Sequence, residues 1–280
     1  MKLSNDVFLG CDTLYEHAKI VMFSAPFDST TSFRPGTRFA GKTIRTDSFG
    51  IETYSPYQNK DIADLSAMDC GDLELPFGNT NRALDKIEEN VAKIIENGKK
   101  PFMIGGEHLV TLGAVRALAK KYPDLHVIHL DAHADLRDDY LGEKLSHATV
   151  MRRIWEILGD GKIYQFGIRS GEREEFDFAE THTVMQRYDF SHVKGHIDAL
   201  AGKPIYFTLD LDVLDPSVFP GTGTPEPGGV LFKELLDVIF LLEKLDVVGC
   251  DICELSPSYD PSGISTAAAC KIIRELLMVL

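Results

Sequence analysis

Four ionisable side chains alternate along the end of an apolar segment, 127-VIHLDAHADLRD-138. They are His129, Asp131, His133 and Asp135, and side chains two positions apart on a strand point to the same face. Buried carboxylates and imidazoles need a compensating partner, and a bound cation provides one. By itself, the stretch predicts a generic metal site at the end of a buried strand.

Two further strand ends carry residues of the same chemistry. The segment 103-MIGGEH-108 ends in paired glycines and His108, and 207-FTLDLDVLDP-216 places Asp210 and Asp212 on one face. In open α/β sheets, ligands bind beyond the carboxyl ends of the strands. We therefore expect these side chains to meet those of the first stretch at one edge of one sheet.

Four aspartates gathered at one edge would be unstable without a cation. Two carboxylates about 4 Å apart repel by about 4 kcal/mol at an effective dielectric of about 20. Divalent ions reverse the sign of this interaction, and two ions can share bridging carboxylates. A donor set of oxygen and nitrogen without a thiolate favours manganese over zinc, and magnesium would prefer fewer imidazoles. The residues predict a site for two Mn²⁺ ions.

Other residues near these motifs receive structural interpretations. His129 lies deeper in the strand than its neighbours and is predicted to be a hydrogen-bonded core histidine. Glu107, beside His108, is predicted to support the site without binding metal. Cys250 and Cys253 have the spacing of a zinc or redox pair, but positions three apart on a strand face opposite sides. Both cysteines are therefore predicted to be small buried residues.

Apolar segments alternate with amphipathic helical patterns along the chain. The predicted strands cover 19–26, 101–106, 125–132, 162–168, 204–212 and 246–254. The predicted helices cover 80–98, 109–123, 146–161, 229–245 and 265–280. This alternation predicts an α/β fold with a mainly parallel sheet between helix layers, in one domain of residues 1–280. The long loops 28–41 and 215–229 are expected to be functional, as loops above about 12 residues usually are.

Charge and composition narrow the function classes. The 280 residues include 29 lysines and arginines against 43 aspartates and glutamates, a formal net charge of −14. This balance argues against nucleic-acid or anionic-membrane binding and is compatible with a small cationic substrate. No apolar run of about 18 residues is long enough for a bilayer span, and the first residues lack a signal-peptide pattern. We expect a cytoplasmic protein whose five cysteines form no disulfide framework.

Four motifs in this order, GGEH, DAHAD, DLDVLDP and PGTGTPEPGG, resemble those of the ureohydrolase family of arginases and agmatinases. The resemblance runs from about Pro26 to the segment 251-DICELSP-257, and so covers nearly the whole chain. It implies a three-layer α/β/α fold of the arginase type. It also implies an enzyme that hydrolyses a guanidino group to urea and an amine, and a homo-oligomer, either a trimer or a hexamer.

Six residues match the metal ligands of that family: His108, Asp131, His133, Asp135, Asp210 and Asp212. The resemblance implies that they bind two Mn²⁺ ions per subunit, with Asp131 and Asp210 bridging. The first ion would also contact His108 and Asp135, and the second would also contact His133 and Asp212.

Three residues are assigned catalytic roles through the same resemblance. His147 matches the family's acid/base histidine, and an imidazole suits that task because its ordinary pKa is about 6.5. Glu254 matches the glutamate that holds the guanidinium, since a carboxylate can accept two parallel N–H groups from that planar fork. Asp135 is assigned a catalytic role in addition to metal binding.

The loop 136-LRDDYLGEKLSH-147 indicates which guanidino compound is the substrate. Arginases use Asn and Ser here to hold the α-amino acid head, whereas this loop has no Asn and has Ser146 only at its end. Its acidic residues, with those of 167-GIRSGEREEFDFA-179, favour a second cation on the substrate. The expected reaction is therefore hydrolysis of agmatine to putrescine and urea. Guanidinobutyrase, another guanidino-acid hydrolase or arginase are the enzyme alternatives, and a polyamine- or metal-binding sensor is the non-enzyme alternative.

Overall fold

Short segments, most of them largely buried, form one large sheet in the computed structural model, which describes residues 6–280. The strands are β1 Ile20–Ser24, β2 Tyr54–Ser55, β3 Lys60–Asp61, β4 Ala67–Asp72, β5 Lys100–Ile104, β6 His126–Leu130, β7 Ile163–Ile168, β8 Val184–Arg187, β9 Pro204–Asp210 and β10 Asp246–Cys253. Eight of them form the sheet in the order β4-β1-β5-β10-β9-β6-β7-β8, and β2 pairs only with β3. All neighbours in the large sheet run parallel, so the predicted parallel sheet is confirmed.

Helices cover both faces of this sheet. They are α1 Ala40–Asp47, α2 Thr80–Glu96, α3 Val110–Lys121, α4 Val150–Leu158, α5 Arg173–His182, α6 Val193–Ala199, α7 Phe232–Leu241 and α8 Ile264–Leu277. Buried side chains of α2, α3, α4 and α5 pack on one face, and those of α1, α6, α7 and α8 pack on the other. The three-layer α/β/α prediction is confirmed.

The sequence patterns missed the short helix α1, the small β2–β3 pair and four further elements with few buried apolar residues. The edge strands β4 and β8 are only partly buried, because an edge strand is covered less completely than a central one. Half of the residues of α5 are charged, and only Glu175 and Ala179 of this helix are buried. Helix α6 has seven residues. Apolar periodicity is the main signal for an element in a sequence, and these four segments carry little of it.

Cys250 and Cys253 lie on β10 and face opposite helix layers, as predicted. Cys250 packs in the core cluster that includes α7 and α8, whereas Cys253 packs in the cluster that includes α2 and α3. Both cysteines are buried and carry free thiols. Their sulfur atoms therefore do not converge on a shared ligand.

The strand register brings four carboxyl ends to the same level at the centre of the sheet. Ile104 of β5 pairs with Ile252 of β10, and Cys253 pairs with Asp210 of β9. Leu130 of β6 in turn pairs with Leu209. The residues that follow these strands are therefore neighbours in space, although up to 150 positions separate them in the chain. Within residues 6–280, no helix is both long and apolar enough to cross a membrane.

Candidate metal centre and active site

Three carboxylates converge on one nitrogen of His108, the residue that connects β5 to α3. His108 Nδ1 lies 3.0 Å from Asp131 Oδ2, 3.2 Å from Asp210 Oδ2 and 3.6 Å from Asp135 Oδ2. All four residues are buried. The structure thus brings together the side chains predicted to bind the first metal ion.

A second group lies on the other side of Asp131. His133 Nδ1 is 3.1 Å from Asp212 Oδ2 and 3.5 Å from Asp131 Oδ1. The two oxygens of Asp131 therefore face two different histidines, which is the arrangement that a bridging carboxylate requires. Asp210 directs Oδ2 at His108 and accepts the Asp212 amide hydrogen on Oδ1 at 2.8 Å. Its predicted bridging role stays a prediction.

Burial and mutual repulsion disfavour the charged forms of two carboxylates in the cluster. Burial raises the pKa of Asp135 well above its usual value, and the neighbouring charge of Asp131 raises it further. Burial also raises the pKa of Asp210, together with repulsion from Asp212 and Asp131. Potential ligand atoms of His108, His129, Asp131 and Asp135 lie within 4.8 Å of one another, as do those of Asp131, His133 and Asp212, and both groups contain Asp131. This donor set fits two divalent cations that share one carboxylate.

Two of the predicted site residues adopt left-handed backbone conformations. Asp135 has φ of 54° and Glu254 has φ of 67°, a region that is unfavourable for residues other than glycine. The Asp135 carbonyl accepts the amide hydrogens of Met151 and Arg152 at the start of α4. The Glu254 amide donates to Gly106 O at 3.0 Å. Neighbouring elements hold both residues in these conformations, as is common where function requires a particular side-chain direction.

A buried hydrogen-bond chain orients the His108 ring. His108 Nε2 lies 2.8 Å from Thr208 Oγ1, which donates to Asp251 Oδ1 at 2.6 Å. Because the single hydroxyl hydrogen of Thr208 goes to Asp251, Thr208 must accept the hydrogen on His108 Nε2. In the neutral ring that metal binding requires, the lone pair of His108 is then on Nδ1, which faces the three aspartates. Metal-binding histidines commonly have this kind of support from a neighbouring acceptor.

Replacing Thr208 with valine removes the acceptor for the His108 ring and keeps the side-chain shape. We expect affinity for Mn²⁺ to fall roughly tenfold, the lower end of the effect of such supporting residues. Calorimetric titration of metal-free protein measures this change. The exposed Thr46 on α1 provides the matched control, Thr46→Val. Equal affinities of the Thr208→Val protein and this control would contradict the assigned support.

His129 contacts the cluster but has no free nitrogen. Its Nε2 is 2.7 Å from Asp131 Oδ2, and Gln165 Nε2 lies 3.1 Å from its Nδ1. Gln165 Nε2 can only donate, so His129 donates in turn from Nε2 to Asp131. The residue is fully buried. It is the hydrogen-bonded core histidine that the sequence predicted, and it also holds the shared carboxylate.

His147 begins the short turn before α4 and lies at the wall of a cleft above the cluster. Ser146 caps this turn by accepting the amide hydrogen of Ala148. Burial, reinforced by the nearby His133, lowers the pKa of His147 to about 4. The imidazole is therefore neutral at neutral pH and able to accept a proton. The Tyr140 ring packs edge-on against it at 5.8 Å.

Glu254 follows β10 and lies on the same cleft. Its Oε1 accepts the backbone N–H of His108 at 2.8 Å, so the carboxylate is fixed beside the cluster. Burial raises the pKa of Glu254 to about 8, with further contributions from Glu107 and Asp212. A cationic ligand would compensate this group.

The cleft has a volume of about 200 Å³ and is lined by all the predicted site residues except Asp131 and Asp212, together with several residues that the sequence did not indicate. The additional lining residues include Ser32, Arg137, Tyr140, Ser170 and Thr224. All of them lie in loops that were expected from the sequence to be functional or to select the substrate, but no pattern identified the individual residues. A cleft of this size suits a small, extended ligand.

Several acidic side chains that were predicted to attract the substrate instead form hydrogen bonds or ion pairs within the protein. Asp138 pairs with Arg153 at 2.8 Å, and Asp139 accepts the Gly142 amide at 3.0 Å. Glu175 is buried and accepts the backbone amides of Leu136 and Glu172. Of these three carboxylates, only Glu175 lines the cleft.

The early loop is closed by Asp28 and its arginine partner. Asp28 accepts the Gly36 amide at 2.9 Å and pairs with Arg38. The Arg34 guanidinium lies 5.2 Å from the centre of the Tyr259 ring. These contacts hold the 28–41 loop over the cleft, where Ser32 forms part of the wall.

The loop after β9 is held against the site by Arg169. This residue donates to the carbonyl oxygens of Asp212 at 2.9 Å and Glu226 at 2.7 Å. Asp215 accepts the amides of Gly228 and Gly229. The 215–229 segment is thereby folded back so that Thr224 reaches Asp212 Oδ2 at 3.4 Å.

Known proteins share both the sequence and this architecture. Residues 18–279 match the arginase family. The agmatinase of Bacillus cereus is 46% identical over 280 residues, which cover 98% of this chain and 96% of that protein. The guanidinobutyrase of Pseudomonas aeruginosa is 33% identical over 273 residues, 91% of this chain and 84% of that protein. A crystal structure from Clostridium difficile, 52% identical, superposes with a TM-score of 0.93 and covers 95% of this chain and 98% of that chain. The chain therefore belongs to the arginase family and is an enzyme of the ureohydrolase class.

Proposed function

We propose that this protein is a manganese-dependent agmatinase, which hydrolyses agmatine to putrescine and urea. The observation that carries the proposal is the double cluster joined by Asp131 beneath a small cleft, with His147 and Glu254 on its walls. The 46% identity to the agmatinase of Bacillus cereus over nearly the full chain supports the choice of substrate.

Six aspartate and histidine side chains would hold the metal ions. His108 and Asp135 would hold one ion, His133 and Asp212 would hold the other, and Asp131 and Asp210 would be shared between them. When bound, divalent ions lower the pKa of water and so supply a nucleophile near neutral pH. Manganese agrees with a site that mixes imidazole with carboxylate and has no thiolate.

Glu254 would bind and orient the guanidinium. Its carboxylate is fixed by the His108 amide, and it can accept two N–H groups from the planar cation. The charge of that cation compensates the buried carboxylate, so substrate binding favours the ionised form of Glu254. This interaction holds the guanidinium carbon next to the metal cluster.

His147 would supply the proton that the departing amine needs. The carbon–nitrogen bond breaks only if the nitrogen is protonated, because an amide anion is a poor leaving group. His147 is neutral, so it can take the proton of the attacking water and then transfer it to the amine. Its position on the cleft wall above His133 and Asp135 suits this transfer.

One observation favours guanidinobutyrate as a second candidate substrate. Arg137 lines the cleft. Its guanidinium would attract the carboxylate of guanidinobutyrate and repel the ammonium group of agmatine. However, Glu172 holds Arg137 at 2.8 Å, and Glu175 lies 3.6 Å from its Nε. These two carboxylates compensate the arginine, and the overall charge of −14 favours agmatine.

Urea release from agmatine, arginine and 4-guanidinobutyrate, measured with Mn²⁺-loaded protein at matched concentrations, tests the proposal. We expect kcat/KM for agmatine to exceed the other two by at least about 100-fold, the discrimination that unpaired buried charges impose. A preference for arginine or guanidinobutyrate would overturn the choice of substrate. Binding of agmatine without urea release from any compound would instead support the sensor alternative.

A cytoplasmic location and a homo-oligomer, either a trimer or a hexamer, remain part of the proposal. Both come from the sequence and the family resemblance. Light scattering on the purified protein at several concentrations would measure the number of subunits, and a monomer at all of them would contradict the oligomer.

A further inference from the structure

The hydroxyl group of Thr30 connects a buried carboxylate to the ring of His147. Thr30 Oγ1 lies 2.5 Å from Glu107 Oε1, and the Thr30 amide donates to Glu107 Oε2 at 2.8 Å. The same Oγ1 lies 3.3 Å from His147 Nδ1 and accepts the His147 amide hydrogen at 3.0 Å. Thr30 and His147 are 117 positions apart in the chain, so only the fold creates this contact.

Glu107 fixes the direction of the Thr30 hydroxyl. Its side chain is fully buried, and burial raises its pKa to about 7, whereas the hydrogen bonds from the Thr30 hydroxyl and amide and from Thr31 favour the ionised form. In this form Glu107 only accepts hydrogen bonds. The single hydrogen of the Thr30 hydroxyl therefore goes to Glu107. The Thr30 hydroxyl can therefore only accept a hydrogen bond from His147.

The direction of this hydroxyl determines which nitrogen of His147 carries the hydrogen. A lone pair of Thr30 next to Nδ1 is favourable only if Nδ1 is protonated. Ser146 Oγ also lies 3.3 Å from Nδ1, and its hydroxyl can rotate to accept the same hydrogen. The lone pair of the neutral ring is then on Nε2, which lies 3.3 Å from Ser32 Oγ at the cleft.

We propose that Glu107 and Thr30 are positioning residues that hold His147 in the tautomer with hydrogen on Nδ1, so that Nε2 exchanges protons with the reacting groups. The inference rests on the proposed function, because it needs His147 to act as acid and base. It adds to that function two residues that neither bind the metal nor contact the substrate. It also gives the early loop a role, since the loop carries Thr30 to the histidine.

Four variants separate this role from a structural one. Thr30→Val keeps the shape and the amide contact with Glu107 but removes the hydroxyl, and Thr30→Ser restores the hydroxyl. Glu107→Gln places an amide group that can donate to Thr30, which frees the Thr30 hydrogen to turn toward Nδ1. Thr31→Val is the matched control, because Thr31 lies 3.4 Å from Glu107 and has no hydrogen bond with His147 among residues 6–280.

We expect Thr30→Val and Glu107→Gln to lower kcat for agmatine about tenfold, part of the contribution that a positioned acid–base group makes. The KM and the bound manganese, measured by elemental analysis, should stay close to wild type. Thr30→Ser should retain most of the activity, and Thr31→Val nearly all of it. Unchanged kcat in Thr30→Val, or equal losses in Thr31→Val, would overturn the inference.

Combining Thr30→Val with His147→Ala provides a readout that a purely structural role would not move. If Thr30 acts through His147, its removal should cost no further activity once the histidine is absent. An equal loss in both backgrounds would overturn the inference while leaving the agmatinase proposal intact. The wild-type protein decides that proposal separately: if it releases no urea from any guanidino compound, the proposed function fails, and the positioning role fails with it.

Discussion

Asp131→Asn should reduce urea release more than about 1,000-fold, because it removes the carboxylate that both metal groups share. The amide would direct an N–H group at one of the two histidines, where the carboxylate now offers an oxygen. Elemental analysis of the purified variant after dialysis should find well under one manganese per chain. Urea release and metal content should therefore fall together.

Two comparisons make this expectation specific. Asp198→Asn changes an exposed aspartate of α6 in the same way and should leave activity and metal content close to wild type. His133→Ala removes a ligand of the second group alone, so it should retain about one ion per chain while losing most activity. If the Asp131 variant keeps both ions and its activity, the shared-carboxylate assignment is wrong.

Removing the metal from the wild-type protein should abolish activity and lower the thermal unfolding temperature. A ligand at about 100 times its Kd stabilises the folded state by about 2.7 kcal/mol. For a chain of this size, that corresponds to a shift of roughly 5–10 °C. Scanning calorimetry with a chelator, and again after Mn²⁺ is restored, measures the shift. Full activity after exhaustive chelation would contradict a metal-dependent mechanism.

The size of that shift should depend on pH. In the metal-free protein, burial opposes the charged form of His108, but Asp131 and Asp210 raise its pKa well above the usual value. Burial likewise opposes the charged form of His133, and Asp212 and Asp131 raise its pKa. A raised pKa stabilises the fold below the unfolded value of about 6.5, and this contribution is lost as the pH rises through the folded value.

Metal binding needs both histidines unprotonated. The metal-free protein therefore loses stability above about pH 6.5, while the affinity for metal increases. We expect Mn²⁺ to raise the unfolding temperature more at about pH 8 than at about pH 6. Magnesium at the same concentration should stabilise less, because it prefers oxygen ligands. A shift that is larger at the lower pH would contradict binding through these imidazoles.

The central part of the fold was predictable because its strands are covered on both faces. The six predicted strands are six of the eight strands in the large sheet, and the five predicted helices are present with changed ends. The edge strands β4 and β8 and the polar helix α5 were missed, since partial exposure removes the continuous apolar signal. The family resemblance, confirmed by the match over residues 18–279, did not depend on those elements.

The sequence by itself determined which residues of the site could act together locally. The spacing of Asp131, His133 and Asp135 at every second position indicated a shared role. However, β6 ends at Leu130 and Asp135 has a φ of 54°, so the loop after the strand, and not strand alternation, sets the direction of these side chains. The alternation rule also predicted that Cys250 and Cys253, three positions apart on a strand, face opposite sides of the sheet. The position of these residues at strand ends indicated the edge of the sheet where a ligand binds.

Only the tertiary structure decided how these groups share their partners. The order β5-β10-β9-β6 does not follow the chain, and it sets His108 against Asp131 Oδ2 across 23 positions, while Oδ1 faces His133 of the same loop. It also joins Thr208 to His108 across 100 positions and Thr30 to His147 across 117. In both hydrogen-bond networks, the direction in which the threonine hydroxyl donates depends on the two side chains that flank it. No local pattern contains that information, because the neighbours of each hydroxyl come from distant segments that meet only when the sheet has formed.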